Sequence, residues 1–244
     1  MSVTVDIHSH ILPGVDDGAE DFSEAVDMLR IAAVNGTTDI VLSPHFLTTD
    51  MRSSNLNKKA LEARFNDFKS KISEQLPRYS PLLRRRSFRC KQYWRFFGKR
   101  RNHPHKRQQI RFDRIWFWRQ PKTSTWNNKS TNRQRLFGCY CTPGAILLRA
   151  VWSATHSSLL EEVAVLQINA TSILGANGPI AEDVALSFLE NQLAAAVASD
   201  CHSAFYRSPD LSEAYSFVSS QFSTEYAEYL FTYNPLAIIN GKRL

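Results

Sequence analysis

One interruption constrains this chain more than any other feature. Residues 77–160 hold 20 of the 30 Lys and Arg, all five Trp, three of the four Cys and a single acidic residue, Asp113. That block carries a net charge of +19, and the rest of the chain −12. It shows neither the two-residue period of a strand nor the 3.6-residue period of a helix. With 244 residues the chain is long enough for one α/β domain with a sizeable core. That core must be drawn from two ordinary, acidic arms on either side of the block. The expectation is a single domain over residues 1–244, interrupted at about 77–160.

The first arm opens on a β-branched run, Val3, Val5 and Ile7, that ends in Asp6-Ile7-His8-Ser9-His10. It reads as a strand over residues 3–8. The loop after it, 11–19, contains the turn residues Pro13, Gly14 and Gly18. Asp21 and Glu24 have the spacing of a capping box. Phe22, Ala25, Val26, Leu29, Ala32 and Ala33 follow at helical spacing, and Gly36 closes that helix. A short apolar strand over 39–43 ends at Pro44-His45, which completes a β-α-β unit. A second amphipathic helix, 55–76, carries Leu61, Phe65, Phe68, Ile72 and Leu76 on one face.

The second arm resumes with a buried-strand pattern over 163–170. A helix with Ala181, Val184, Ala185, Phe188 and Leu189 on one face comes next, then an apolar strand over 194–199 that ends at Asp200 and His202. Helices over 211–222 and 224–231 and a short turn from Asn234-Pro235 finish the chain. No apolar run reaches transmembrane length and no basic-then-apolar signal opens the chain, so a cytoplasmic location without membrane contact is expected. The four cysteines have neither zinc-finger spacing nor a disulfide framework.

Alternate side chains of a strand share a face, so His8 and His10 point the same way. Alone, a His-x-His pair is weak evidence, since two surface or capping histidines give the same pattern. Asp17, His45, Asp200 and His202 give it weight, because each lies at a strand end or in the loop after one. In parallel α/β folds that end carries the chemistry. Mixed imidazole and carboxylate donors suit Mn, Fe or Zn.

Asp6-Ile7-His8-Ser9-His10-Ile11-Leu12-Pro13-Gly14-Val15-Asp16-Asp17-Gly18-Ala19 resembles the opening of the polymerase-and-histidinol-phosphatase (PHP) superfamily. Within it the chain is similar to the bacterial capsular-polysaccharide tyrosine-protein phosphatases. Ser43-Pro44-His45, Leu166-Gln167-Ile168-Asn169-Ala170 with Gly175, and Ala198-Ser199-Asp200-Cys201-His202 with Arg207-Ser208-Pro209 resemble the same family. So does the close of the chain, from Tyr226-Ala227-Glu228 to Asn234-Pro235. The resemblance implies a distorted β/α barrel around a cluster of divalent ions, usually Mn2+. It implies metal ligation by His8, His10, Asp17, His45, Asp200 and His202, and a catalytic Arg207 that holds the substrate phosphate. The implied partner is the phosphotyrosine tail of a bacterial tyrosine autokinase that controls exopolysaccharide and capsule assembly.

Three family motifs are missing from residues 77–160: Gly-Ala-Glu, Ile-Glu-Phe and His-Pro-Glu-Arg. All belong in the anomalous block, and His103-Pro104-His105 replaces none of them. The genetic code offers a reason. Arg84-Arg85-Arg86-Ser87-Phe88 can be written CGG CGC AGA AGT TTC, which one nucleotide later reads Gly-Ala-Glu-Val. Residues 109–116, written CAA ATA CGT TTT GAT CGA ATT TGG, read Lys-Tyr-Val-Leu-Ile-Glu-Phe after the same shift. Residues 141–147, written TGC ACA CCC GGA GCG ATA CTA, read Ala-His-Pro-Glu-Arg-Tyr. One constant shift recovers all three motifs in order. We therefore read the block as translated out of frame, starting near 76–83 and ending near 156–162. Off-phase codons also account for its Arg and Trp excess. The chain is then expected to have little phosphatase activity and a folding defect where barrel strands are lost.

Other readings make different demands. A genuine basic insert with interleaved aromatics would bind nucleic acid, and the frame argument ranks above it. Cys201 and Arg207 have the spacing of cysteine-dependent phosphatases. The residues between them contain no glycine to let the backbone close round a phosphate, so that spacing reads as accidental. A histidinol-phosphate-like small phosphomonoester and a non-catalytic remnant that only binds the kinase tail complete the alternatives.

Overall fold

The computed structural model describes residues 3–45, 58–84, 115–118, 137–140, 166–240, 242 and 244. Strand β1 (Thr4–Ser9), helix α1 (Phe22–Val34) and strand β2 (Thr37–Leu42) form the expected unit, with β1 and β2 parallel. The Asp21 carboxylate caps α1 by accepting the Glu24 N–H at 2.9 Å. The return bond differs from a capping box: Glu24 accepts from the Glu20 N–H, one residue before the cap. Asn35 ends the helix, and Gly36 turns the chain into β2 with a φ of 90°.

Helix α2 (Lys58–Gln75) is followed by a 3-10 turn (Pro77–Leu82) and the two-residue strand β3 (Leu83–Arg84), which pairs parallel with β2. The start expected for α2, at 55–57, lies outside the described residues. Two strands fall within the basic block, β4 (Ile115–Trp118) and β5 (Phe137–Tyr140), where sequence periodicity shows none. They pair antiparallel in a sheet of their own.

The second arm gives β6 (Gln167–Asn169), a single helical turn α3 (Ala170–Ile173), helix α4 (Pro179–Glu190) and β7 (Ala196–Ala198), with β6 and β7 parallel. Helix α5 (Ser212–Gln221) follows. Then α6 (Thr224–Glu228), a π-helical turn (Tyr229–Tyr233) and α7 (Asn234–Ile239) succeed one another without a break. Asn234-Pro235 thus opens a helix rather than a short turn. Proline is tolerated there because the first helical turn needs no donor from it.

The two arms meet edge to edge. A parallel bridge joins Ser9 to Cys201, the His10 N–H donates to Cys201 O at 2.9 Å, and the Asp200 N–H donates to His8 O at 2.9 Å. Apart from the β4-β5 pair, the described strands therefore run β6-β7-β1-β2-β3 as one parallel arc. Helices α1 and α2 cover one part of it through Met28, Leu29, Ala32, Phe68 and Ile72. Helices α4 to α6 cover the other through Phe188, Leu189, Leu211 and Val218, with Leu230 and Phe231 from the π turn. Val5 and Val41 pack under Ile239 of α7. Each fully buried Leu, Ile or Phe contributes about 2 kcal/mol. This apolar shell fixes the strands, and their carboxyl ends are left for polar groups.

Candidate metal centre

β1 does not run evenly into its ligand pair. Asp6 is paired with Ile40 and Ser9 with Leu42, so β1 spends one more residue than β2 across that interval. Such a bulge re-aims side chains beside functional sites. His8 lies in it, and His8 Nε2 sits 3.2 Å from His10 Nε2. Both nitrogens lie 3.3 Å from Asp200 Oδ1.

A second group surrounds Asp17, whose Oδ1 lies 3.1 Å from His45 Nε2 and 3.4 Å from His202 Nε2. The His10 ring lies between the groups, with its centroid 4.0 Å from that of His202 and 4.2 Å from that of His45. Potential ligand atoms fall into two overlapping sets, His8–His10–Asp200 and His10–Asp17–His45–His202. Within each set all the atoms lie within 4.8 Å of one another. The structure thus gathers all six sequence-predicted ligands from both arms. Arg207 joins them: its guanidinium donates to Asp200 Oδ2.

The donor set fits a divalent cation. Neighbouring nitrogen or oxygen ligands around an ion at about 2.1 Å are themselves about 3.0–3.4 Å apart. The separations between His8, His10 and Asp200 Oδ1 match that spacing. Two imidazole nitrogens facing each other can share one proton at most, whereas a cation satisfies both.

Several polar groups hold these donors in place. The Asp16 carboxylate lies 2.7 Å from His10 Nδ1 and accepts the N–H groups of His45 at 2.7 Å and Gly18 at 3.0 Å. Asn169 donates to Asp200 Oδ2 at 2.7 Å, Gln167 donates to Asn169, and Gln167 Oε1 lies 3.2 Å from His8 Nδ1. Partners of this kind fix the tautomer and orientation of metal-binding imidazoles. Asp6 is fully buried and accepts from the His8 N–H, the Ser199 N–H and the Ser199 hydroxyl, so it ties β1 to the end of β7. Sequence reading gave Asp6, Asp16, Gln167, Asn169 and Ser199 no role. For Asp6 a signal existed, because it shares the His8 face by strand alternation.

Electrostatics follow from the packing. Burial lowers His8 to about 4, against the pull of Asp200. Burial acts the same way on His10, but Asp16 and Asp200 outweigh it and raise the ring to about 9. Burial resists ionisation of Asp17 and Asp200 too. Hydrogen bonds from His202 and His45 hold Asp17 far below the usual carboxylate range, and His8, His10 and Arg207 do the same for Asp200. Burial raises Asp6 to about 6 despite its three hydrogen bonds. Asp200 also sits at a φ of 52°, a left-handed conformation that costs a non-glycine residue of order 1 kcal/mol and concentrates at functional sites.

Gly18 is a steric requirement of the centre. A Cβ there would stand 2.0 Å from His10 O and 2.5 Å from His10 Cβ. Gly18→Ala is expected to displace His10, cost about 1–3 kcal/mol, and weaken Mn2+ binding about tenfold. Thermal melting and titration calorimetry measure both effects.

Cys201 does not suit a nucleophile. It is fully buried, and burial together with Asp6 pushes its thiol above the ordinary range. A reactive cysteine needs an accessible, stabilised thiolate. Iodoacetamide is expected to leave Cys201 unmodified in the folded chain, and Cys201→Ser to leave Mn2+ affinity unchanged. Peptide mapping and calorimetry check these outcomes.

The family model described as Capsular polysaccharide synthesis, CpsB/CapC, matches residues 4–80 and 152–240. The chain belongs to the CpsB/CapC family. CapC of Staphylococcus aureus is 51% identical over 43 residues, 18% of this chain and 17% of that protein. The tyrosine-protein phosphatase YwqE of Bacillus subtilis is 46% identical over 41 residues, 17% of this chain and 16% of that protein. These matches therefore span less than a fifth of either relative. Among solved structures, a chain from the work on YwqE of Bacillus subtilis and CpsB of Streptococcus pneumoniae, described as metal-dependent tyrosine phosphatases, superposes with a TM-score of 0.59. That match covers 98% of this chain and 96% of the other at 18% identity, which establishes a shared fold. Among the described residues no helix is long and apolar enough to cross a membrane.

Proposed function

We propose that this CpsB/CapC family member is built as a metal-dependent phosphomonoesterase that acts on protein phosphotyrosine. The convergence of His8, His10, Asp17, His45, Asp200 and His202 at the ends of β1, β2 and β7 carries this reading. His8, His10 and Asp200 would hold one ion, and Asp17, His45 and His202 another. Mn2+ suits these donors, as do Fe and Zn. Bound divalent cations make water a nucleophile at neutral pH and neutralise phosphoryl oxygens.

The residues of the chain supply the rest. Asp16 orients His10, and Gln167 and Asn169 orient His8 and Asp200. Arg207, anchored on Asp200, presents a fixed cation where charge on a phosphate must be offset. On this reading the substrate is the phosphotyrosine tail of a bacterial tyrosine autokinase in capsule assembly, met in the cytoplasm, and the parallel arc of strands belongs to a distorted β/α barrel.

The same reading covers the block. The family match breaks off at residue 80 and resumes at residue 152, close to the limits drawn from the codons. We read 77–160 as out-of-frame translation within one domain. Gly-Ala-Glu, Ile-Glu-Phe and His-Pro-Glu-Arg would then be lost from the site, and catalysis by this chain reduced.

Substrate choice is tested on a chain whose frame is restored, loaded with Mn2+. It is expected to hydrolyse a phosphotyrosine peptide in preference to histidinol phosphate, and to stop when a chelator is added. Preference for the small ester, or activity indifferent to chelation, contradicts the reading.

A further inference from the structure

The loop between His202 and Arg207 carries two aromatic side chains that the chemistry described so far does not use. Phe205 is 88% and Tyr206 94% exposed, the most exposed of the large hydrophobic residues described. Apolar rings so fully open to water cost free energy unless something covers them. Their position bears on what that is. We propose that Phe205 and Tyr206 form an aromatic wall that receives the aryl group of a phosphoester whose phosphate lies at the candidate metal centre. The inference rests on the phosphatase reading above and adds to it a source of selectivity for aryl over alkyl esters.

The loop is short and closed at its base. The His202 N–H donates to Arg207 O at 2.9 Å, so a candidate ligand and the candidate phosphate-binding arginine sit side by side. Four residues, 203–206, leave and return, so the tip rises at most about two residues, roughly 7 Å, above that base. The Ser203 hydroxyl accepts the N–H groups of Phe205 at 3.2 Å and Tyr206 at 3.0 Å, a local turn that sets the backbone of both. Ala204 is buried in the core shared with α1 and pins the tip from below. The two rings therefore stand on an anchored turn whose base joins a candidate metal ligand to the candidate phosphate-binding arginine.

That arrangement suits an aryl ester. Arg207 and the cations would hold the dianion, and the ring attached to it would lie against Phe205 or Tyr206. Offset or edge-on aromatic pairs favour such contact by about fivefold in affinity over an alkyl group. Inorganic phosphate has no ring and gains nothing from the wall.

Titration calorimetry of this chain in excess Mn2+ tests the proposal with three probes: inorganic phosphate, methylphosphonate and phenylphosphonate. The chain is expected to bind phenylphosphonate about fivefold tighter than methylphosphonate. The double variant Phe205→Ala, Tyr206→Ala is expected to lose that preference while it keeps its affinity for inorganic phosphate. Both positions are exposed, so the fold tolerates the change. An aryl preference that survives in the variant overturns the proposal, as does an equal loss on all three probes. Failure of inorganic phosphate to bind either chain contradicts the phosphatase reading and this inference with it, and the phosphate arm separates that result from the others.

Discussion

Replacing His10 by alanine is expected to weaken Mn2+ binding by at least about a hundredfold and to destabilise the chain by about 3–5 kcal/mol. Both figures follow from the position of this ring. His10 is fully buried and is common to both sets of converging donors. Its Nδ1 faces Asp16 at 2.7 Å, and the Asp16 carboxylate also receives the His45 N–H. The truncation removes a candidate ligand, leaves a buried carboxylate short of its charged partner, and loosens the loop that positions His45. Thermal melting and calorimetric titration with Mn2+ measure the two losses. His10→Ala binding Mn2+ as well as the unaltered chain would show that the histidines form only a hydrogen-bonded core.

Restoring the reading frame across residues 77–160 is the second large effect. The restored chain is expected to hydrolyse a phosphotyrosine peptide at least about a hundredfold faster than the present one, on the scale by which loss of metal-site partners reduces activity. Two carboxylate motifs and one containing both Glu and Arg would return together. Divalent centres need anionic oxygens to offset their charge, and phosphoryl transfer needs cations around the equatorial oxygens. In the present chain the described carboxylates of the centre are Asp16, Asp17 and Asp200, and Arg207 is the cation beside them. Genomic DNA across the block gives an independent reading. Codons that yield the three motifs one nucleotide later are expected, and codons that cannot yield them would remove the frame argument. Equal rates for the two chains would show that the block is compatible with catalysis.

Much of the site was legible because strand ends and turn residues leave strong local marks. The β-branched run before His8, the Asp21 cap and the apolar spacing of Ala25, Val26, Leu29 and Ala32 located β1, α1 and β2 to within about two residues. That unit in turn placed His45 beside His10. The bulge around His8 left no mark, because it arises from register with β2, a long-range property. The roles of Asp16 and Asn169 were hidden for the same reason: an Asp or Asn in a loop or at a strand end reads as a turn or cap until its partner across the fold is known. The unbroken helical run from Thr224 to Ile239 was obscured by Asn234-Pro235, a pair that elsewhere starts a turn. In the block the difficulty is of another kind. Residues 77–160 carry no hydrophobic period of either kind, so neither β4 nor β5 could be read from spacing.

The central claim is that six imidazole and carboxylate side chains from both arms enclose divalent cations. Anomalous diffraction at the manganese edge, from crystals of this chain grown in excess Mn2+, tests it most directly. The account predicts strong peaks among His8, His10 and Asp200 and among Asp17, His45 and His202. Ordered side chains at these positions with no manganese between them would contradict it.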